Sequence, residues 1–104
     1  MELQGQTALV TGGARRIGRA ICEALAHAGC RVVIHCRTSL READELQQSI
    51  IAAGGWARTV QGDLATERGC FEVMDRAVSH SGGVNLLVNN AAVFRRTSWA
   101  EVRE

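Results

Sequence analysis

Three residue types are missing from this chain of 104 residues: lysine, tyrosine and proline. Every one of its 12 basic side chains is therefore an arginine, and 11 acidic residues leave a formal net charge of +1. A net charge so close to zero gives no electrostatic reason to expect a nucleic acid or an anionic membrane as a partner. Without lysine and tyrosine, these residues alone exclude any chemistry that needs an amine or a phenol side chain.

Long apolar runs and paired cysteines are also missing. No apolar run approaches the ~20 residues that span a membrane. The four cysteines show neither the CxxC spacing of a zinc site nor the density of a disulfide scaffold, which predicts buried free thiols and no metal centre. The first residues, MELQGQTALV, do not resemble an export signal, so we expect a cytoplasmic globular protein.

Short apolar segments alternate with longer segments whose apolar residues recur every three or four positions. This rhythm predicts strands at residues 7–11, 31–35, 57–61 and 84–89. It predicts helices from the first glycine-rich turn to Gly29, at residues 40–53 and at residues 66–81. We expect Ser39 and Glu42 to form a capping box at the second helix. The expected inward apolar side chains of the first and third helices are Ile17, Ile21, Leu25, Ala28, Phe71, Met74 and Val78.

Alternation of apolar strands with helices predicts the α/β class. We expect a three-layer, doubly wound parallel sheet, Rossmann-like, with the strands in the spatial order third, second, first, fourth. Residues 1–104 are interpreted as one domain, because no repeat, linker or low-complexity stretch divides them. A doubly wound sheet of this type has two halves, and the pattern here corresponds to the first half, as in a fragment of a longer polypeptide.

The most informative segment, residues 11–18 (TGGARRIG), joins the first strand to the first helix. Unpaired amides at a helix start carry the positive end of the helix dipole, and glycines there allow a diphosphate to approach closely. We therefore expect an anion at this turn. The spacing of Gly12, Gly13 and Gly18 differs from the GxGxxG fingerprint.

This turn resembles the TGxxxGxG motif of the short-chain dehydrogenase/reductase family at Thr11, Gly12 and Gly18. Asp63 and Leu64 follow the third strand, as the adenine-contacting Asp of the family does. Residues 89–92 (NNAA) follow the fourth strand and are similar to the family's NNAG motif. The resemblance covers nearly the whole chain but only the N-terminal part of the family's domain.

At two positions this chain differs from the family motifs, and these differences indicate which branch of the family it resembles. Arg16 stands at the middle glycine of TGxxxGxG, and Ala92 stands at the last glycine of NNAG. With Phe94 shortly after NNA, the chain resembles the pteridine reductase branch. That resemblance implies that Arg16 reaches the cofactor phosphates and a pterin substrate, and that Phe94 stacks on the pterin ring. The structural alternatives are a solvated helix-start Arg16 and a Phe94 that packs in the core.

The choice of cofactor follows from charge. An NAD site places a carboxylate after the second strand, whereas a 2′-phosphate needs arginine and hydroxyl donors. No acid occurs between Glu23 and Glu42, and residues 37–39 (RTS) follow the strand. With Arg15 from the glycine turn, they predict NADP(H).

Several of these residues also have structural explanations. Ser39 as a helix cap, Asp63 as a turn residue and His35 as a packed side chain rather than an adenosine contact all remain open. The full set of expected cofactor-binding residues is Gly12, Arg15, Arg16, Ile17, Gly18, His35, Arg37, Thr38, Ser39, Asp63, Leu64, Asn90, Ala91 and Ala92.

The resemblance implies hydride transfer from NADPH to a carbonyl or imine, with a Tyr and a Lys from a YxxxK motif downstream of NNAG. Because both residue types are absent here, no catalytic residue is assigned and the 104 residues alone are predicted to be inactive. The first hypothesis is a pteridine-reductase-like enzyme, homo-oligomeric at full length, with a small-molecule substrate such as a pterin. The alternatives are another short-chain reductase, acting on a 3-oxoacyl or ketone substrate, and a non-catalytic nucleotide-binding module.

Overall fold

A computed structural model describes residues 2–90, in which four strands alternate with three helices. In chain order these are β1 (Thr7–Thr11), α1 (Arg16–His27), β2 (Arg31–Cys36), α2 (Leu40–Ala52), β3 (Trp56–Gln61), α3 (Glu67–Ser81) and β4 (Leu86–Asn89). The predicted alternation is confirmed, and the bounds differ from the expected ones by at most two residues. Across residues 2–90, no helix combines the length and the apolar character that a membrane crossing requires.

The four strands form one parallel sheet in the order β3-β2-β1-β4. Val10 of β1 is level with Ile34 of β2 on one side and with Val88 of β4 on the other. This order confirms the expected Rossmann-like α/β fold. Because all strands run the same way, the loops that follow them open at one carboxyl edge, where ligands bind in such sheets.

Two apolar layers hold the sheet between its helices. Alternate residues of a strand point to opposite faces, so Val10 and Ile34 pack with α1 and α2, whereas Leu9 and Val33 pack with α3. All five residues of β1 are buried, as expected for a central strand covered on both faces. Burying each large apolar side chain contributes roughly 1.5–3 kcal/mol.

Helix α3 contacts the sheet through a different stripe from the expected one. The expected inward residues Phe71, Met74 and Val78 are exposed, Phe71 by 69%. The residues buried on α3 are Gly69, Val73, Ala77 and Ser81, spaced four apart. Small side chains on this stripe let the helix approach the sheet closely, so the prediction that Phe71, Met74 and Val78 face inward is wrong. On the expected stripe of α1, Ile17 is likewise 70% exposed and Ala28, just after the helix, is exposed, whereas Ile21 and Leu25 pack against the core.

The cysteines follow the expectation in three cases of four. Cys22, Cys30 and Cys36 are buried free thiols, but Cys70 is exposed. Burial, with a smaller effect of Glu23, raises the pKa of the Cys22 thiol to about 12. The exposure of Cys70 follows from the orientation of α3, because Cys70 lies beside the buried stripe of that helix and not on it.

Candidate functional site

The glycine turn begins with two amides that are already engaged. Gly12, with a φ of 62°, donates from its backbone N–H to His35 Nδ1 at 3.0 Å. The Gly13 N–H donates to the His35 carbonyl oxygen at 2.9 Å. These two amides tie the turn to β2, so the first amides of the turn are not the ones that would meet an anion.

The next five amides, those of residues 14–18, find no acceptor in the described part of the chain. They lie at the start of α1, whose first turn contains no acidic residue. Arg15 and Arg16 lie there instead, although cations at a helix N-terminus are unfavourable by about 0.3–1 kcal/mol each. Positive charge therefore concentrates at this end of α1, which is an arrangement that an anion would stabilise.

Arg16 has an unusual backbone conformation. Its φ of 54° lies in the left-handed region, and no other non-glycine residue between residues 2 and 90 has a positive φ. This conformation costs a residue with a Cβ roughly 1–2 kcal/mol. The strain explains why a glycine suits this position in the TGxxxGxG motif, and it means that the arginine is retained here at a cost in stability.

The start of α1 is packed tightly against the end of β4. A Cβ on Gly18 would collide with the Gly12 carbonyl oxygen and approach Asn90 Nδ2. Asn90 donates from Nδ2 to the Gly12 carbonyl at 3.1 Å and from its backbone N–H to Thr11 Oγ1 at 2.9 Å. Asn90 therefore joins the loop after β4 to the glycine turn.

A cavity of about 250 Å³ opens at the carboxyl edge between the loops that follow β1, β2 and β3. Its lining brings together seven of the expected site residues: Gly12, Arg15, Arg37, Thr38, Ser39, Asp63 and Leu64. Ala14, Cys36 and Ala65 also line it, and the sequence analysis missed them because small or apolar neighbours of motif residues carry no chemical signal of their own. Residues distant in the sequence thus converge where the fold predicts a ligand.

Ser39 does not cap α2. It is the residue before the helix, but its side chain makes no capping hydrogen bond, so the expected capping box with Glu42 is wrong. The φ of −84° and ψ of 48° at Ser39 differ from the extended backbone typical of a capping residue. The structural explanation for Ser39 is therefore removed, and its hydroxyl lines the cavity.

Asp63 has a structural role in the turn after β3. Its Oδ1 accepts from the Ala65 N–H at 2.9 Å and lies 3.9 Å from Arg37 Nε. Both side chains of this ion pair are substantially exposed, so the pair contributes little to stability. Thr66, and not Asp63, caps α3 by accepting from the Gly69 N–H at 2.9 Å.

His35 is not among the residues that line the cavity. The side chain is buried, with 2% of the residue exposed, and Nε2 lies 2.9 Å from the Gly62 carbonyl oxygen. Burial lowers the pKa of His35, and the hydrogen bond to Gly62 partly opposes that shift. The imidazole therefore packs between two loops, as the structural alternative expects, and a contact of His35 with an adenosine stays a prediction.

The remaining expected residues fall into two groups. Arg16, Ile17, Gly18 and Asn90 lie at the start of α1 and the end of β4, beside the cavity and outside its lining. Ala91, Ala92 and Phe94 lie outside the described residues.

A larger cavity, of about 530 Å³, lies at the opposite edge of the sheet, among residues such as Gly29 and Gly55. Of the charged side chains in its lining, Arg31 donates to the Ser81 carbonyl at 2.6 Å and stacks 4.3 Å from the Trp56 ring centre, and Glu23 is paired with Arg19 at 3.5 Å. The amino-terminal edge is also not where parallel sheets of this class bind ligands. The smaller cavity is therefore the better candidate site.

Comparisons with known proteins agree with this geometry. An uncharacterized oxidoreductase of Methylorubrum extorquens is 38% identical over 99% of this chain and 42% of that protein. FolM alternative dihydrofolate reductase 1 from Brucella canis, solved with NADP, has a TM-score of 0.85 and 39% identity over 99% of this chain and 41% of that one. A short chain dehydrogenase from Burkholderia cenocepacia, also solved with NADP, has a TM-score of 0.84 and 39% identity, covering 99% and 42%.

This chain thus spans about two fifths of the length of the relatives it matches. The family profile of the short chain dehydrogenases matches residues 6–104, nearly the whole of it. With the parallel sheet, the glycine turn and the Asn90 contact in place, this match shows that the chain belongs to the short-chain dehydrogenase family.

Proposed function

We propose that these residues form the NADP(H)-binding part of a short-chain reductase that transfers hydride from NADPH to a carbonyl or imine carbon. One observation carries the proposal: Arg15, Arg37, Thr38 and Ser39 line a single cavity next to the amides at the start of α1. Two guanidinium groups and two hydroxyls fit a phosphate monoester, and unpaired amides at a helix start fit a diphosphate.

The cavity distinguishes the two nicotinamide dinucleotides by charge. No carboxylate follows β2 directly, and the acid in the lining, Asp63, is held in its own turn by the Ala65 amide. A 2′-phosphate would bring two or three acceptors to Arg37, whose side chain has, among residues 2–90, a 3.9 Å ion pair with Asp63 to exchange for them. NADP in the solved relatives from Brucella canis and Burkholderia cenocepacia supports the same cofactor here.

Within the proposed site, each residue binds or orients and none transfers a proton. Arg15 and the α1 amides would hold the diphosphate, and Arg37 with Ser39 would hold the 2′-phosphate. Asp63 and Leu64 would contact the adenine, and Asn90 keeps the nicotinamide side of the turn in place through Gly12. When bound, the cofactor supplies the hydride. Since the chain has no tyrosine or lysine, the proposal assigns proton donation to residues outside these 104.

For the substrate, we favour a pterin. Arg16 keeps its side chain at a strained position where a glycine would be more stable, and it lies beside the cavity. The name of the Brucella canis relative, an alternative dihydrofolate reductase, supports a pterin-like substrate. Ala91, Ala92 and Phe94, outside the described residues, remain assigned by resemblance alone, as does the homo-oligomeric state. The single domain over residues 1–104 remains a prediction from the sequence, which has no repeat, linker or low-complexity stretch. The alternative is a reductase of another short-chain branch with a 3-oxoacyl or ketone substrate.

A titration of NADPH and NADH against the full polypeptide that carries this sequence tests the cofactor. We expect NADPH to bind at least about tenfold more tightly, since a charge-assisted bidentate contact contributes roughly 1.5–3 kcal/mol. Arg37→Ala should remove most of that preference. Arg41→Ala is the matched control, because Arg41 is an exposed α2 arginine paired with Glu45 at 3.5 Å and lies outside the cavity. Equal affinity for both nucleotides, or an unchanged preference in Arg37→Ala, would contradict the proposal.

The substrate requires a separate assay. NADPH oxidation by the full polypeptide is followed with a dihydropterin and, in parallel, with a 3-oxoacyl thioester. Faster turnover of the dihydropterin that falls in Arg16→Ala supports the pterin assignment. Faster turnover of the thioester would favour the alternative reductase and leave the cofactor assignment intact.

A further inference from the structure

His35 connects two loops of the carboxyl edge through one imidazole ring. Its Nδ1 lies 3.0 Å from the Gly12 backbone nitrogen, which is a donor, and its Nε2 lies 2.9 Å from the Gly62 carbonyl oxygen, which is an acceptor. Nδ1 must therefore accept a hydrogen bond while Nε2 donates one. Only the neutral imidazole with its proton on Nε2 satisfies both partners.

We propose that His35 is a positioning residue, whose neutral Nε2–H tautomer holds the glycine turn in its nucleotide-binding shape and releases it on protonation. This inference rests on the proposed cofactor site for its effect on binding. The tautomer of His35, and its two hydrogen bonds that link the glycine turn to the loop after β3, do not depend on the proposed cofactor site and can be tested without nucleotide.

The tie acts on the residue that organises the turn. The Gly12 carbonyl is the group against which Gly18 packs, and it accepts from Asn90 Nδ2 at 3.1 Å. A shift of Gly12 would therefore move the start of α1 and the loop after β4 together. The backbone amides of residues 14–18 come immediately after Gly12 and Gly13 in the chain. The orientation of these N–H groups toward a diphosphate therefore depends on the hydrogen bond between Gly12 and His35.

Protonation would break the tie for a geometric reason. A proton on Nδ1 would face the Gly12 N–H, so two donors would point at each other inside the protein. The side chain is too buried for water to replace the lost partner easily, since only 2% of the residue is exposed. An unpaired buried donor is costly enough to alter an equilibrium by about tenfold or more.

The lowered pKa of His35 is caused by burial and not by a neighbouring charged side chain. Burial is the largest cause of the lowered pKa of His35, and the Gly62 carbonyl opposes it. Arg76 of α3 donates to the Gln61 carbonyl at 2.9 Å. The other ionisable side chains on β2, on β3, on α3 and on the loops that the ring joins are those of Arg15, Arg16, Arg31, Cys36, Arg37, Arg58, Asp63, Glu67, Arg68, Cys70, Glu72, Asp75 and His80. None of these side chains is among the causes of the lowered pKa of His35.

The first test needs no nucleotide. Nitrogen-15 NMR of the histidine rings in the full polypeptide should show an unprotonated Nδ1 and a protonated Nε2 for His35, assigned by comparison with His35→Asn. The protection of the Gly12 amide against hydrogen exchange, taken relative to the intrinsic exchange rate at the same pH, should be high near neutral pH and lower below the pKa of His35. A tautomer with the proton on Nδ1, or Gly12 exchange that is independent of His35 protonation, would overturn the inference.

The second test measures the NADPH dissociation constant at about pH 7.5 and at a pH below the pKa of His35 that the first test gives. The nucleotide's own 2′-phosphate titrates near pH 6, so wild type alone is not decisive. His35→Asn corrects for this, because its Oδ1 replaces the Nδ1 acceptor and does not titrate. We expect the acid-induced loss of affinity to be about tenfold larger in wild type than in His35→Asn. The exposed His80→Asn should behave like wild type.

The outcomes separate the two proposals. If NADPH binds and its pH dependence is the same in wild type and His35→Asn, the positioning role is wrong and the cofactor site stands. If no variant binds NADPH but the tautomer and the Gly12 exchange are as expected, the positioning role stands and the proposed function fails. His35→Phe, which retains a ring without either hydrogen bond, should weaken NADPH binding at both pH values. Retained affinity in that variant would also overturn the role.

Discussion

Substitutions of Arg16 can separate two quantities: the stability lost to its left-handed backbone conformation and the NADPH affinity contributed by its guanidinium group. Arg16 is exposed, and its φ is 54°. Arg16→Gly removes both the left-handed strain and the guanidinium, whereas Arg16→Ala removes the guanidinium and retains the strain. The difference in stability between the two variants therefore measures the backbone term.

The magnitude follows from two opposing effects. A left-handed conformation costs a residue with a Cβ roughly 1–2 kcal/mol. Glycine loses about 0.5–1 kcal/mol more than alanine in backbone entropy on folding. We therefore expect Arg16→Gly to be more stable than Arg16→Ala by roughly 0.75 kcal/mol, the midpoint of a range of about 0–1.5 kcal/mol. Both variants also lose the unfavourable interaction of a cation with the α1 dipole, so the alanine variant should remain close to wild type.

Urea unfolding of the full polypeptide measures this difference, with Arg19 as the matched position. Arg19 lies in the same helix and has no positive φ, so there glycine should be less stable than alanine by about 1 kcal/mol. Its ion pair with Glu23, at 3.5 Å, is lost equally in both Arg19 variants. If Arg16→Gly is no more stable than Arg16→Ala, the argument from strain is refuted. If NADPH affinity is unchanged in both Arg16 variants, the argument that the Arg16 side chain contributes to cofactor binding is refuted as well.

Three further results are expected. Gly18→Ala should lower the free energy of unfolding by more than about 2 kcal/mol, because the new Cβ meets the Gly12 carbonyl and Asn90. Gly54→Ala has open space, so urea unfolding should show only a conformational cost of about 1 kcal/mol, and equal losses at both positions would contradict the packing argument. Among the four cysteines, iodoacetamide should label the exposed Cys70 first and Cys22, whose pKa burial raises to about 12, last; the reverse order in mass spectrometry would contradict their placement. Because the folded-state pKa of His35 is lowered, its contribution to stability is complete above its ordinary value of 6.5 and declines as the pH falls toward the folded-state pKa. Urea unfolding should show this decline in wild type and not in His35→Asn, and an identical pH dependence would count against it.

The fold was predictable because its signals are local. Strand β1 is a run of five buried residues, and the glycine turn after it stands directly between a strand and a helix. The right-handed crossover rule then leaves few orders for four parallel strands, and the observed β3-β2-β1-β4 is the expected one. The burial of α3 was not predictable in this way, since two apolar stripes were available and the stripe of small residues contacts the sheet.

For the candidate site, the sequence by itself determined which chemistry is present: arginines and hydroxyls after β2, no adjacent acid, and neither lysine nor tyrosine. These follow from residue identity and order along the chain. Only the tertiary structure decided how the groups are used: Ser39 does not cap α2, and Asp63 holds its own turn. His35 joins two loops and is not among the residues that line the cavity. Hydrogen bonds between residues more than twenty positions apart depend on how the strands are placed side by side, which no local pattern encodes.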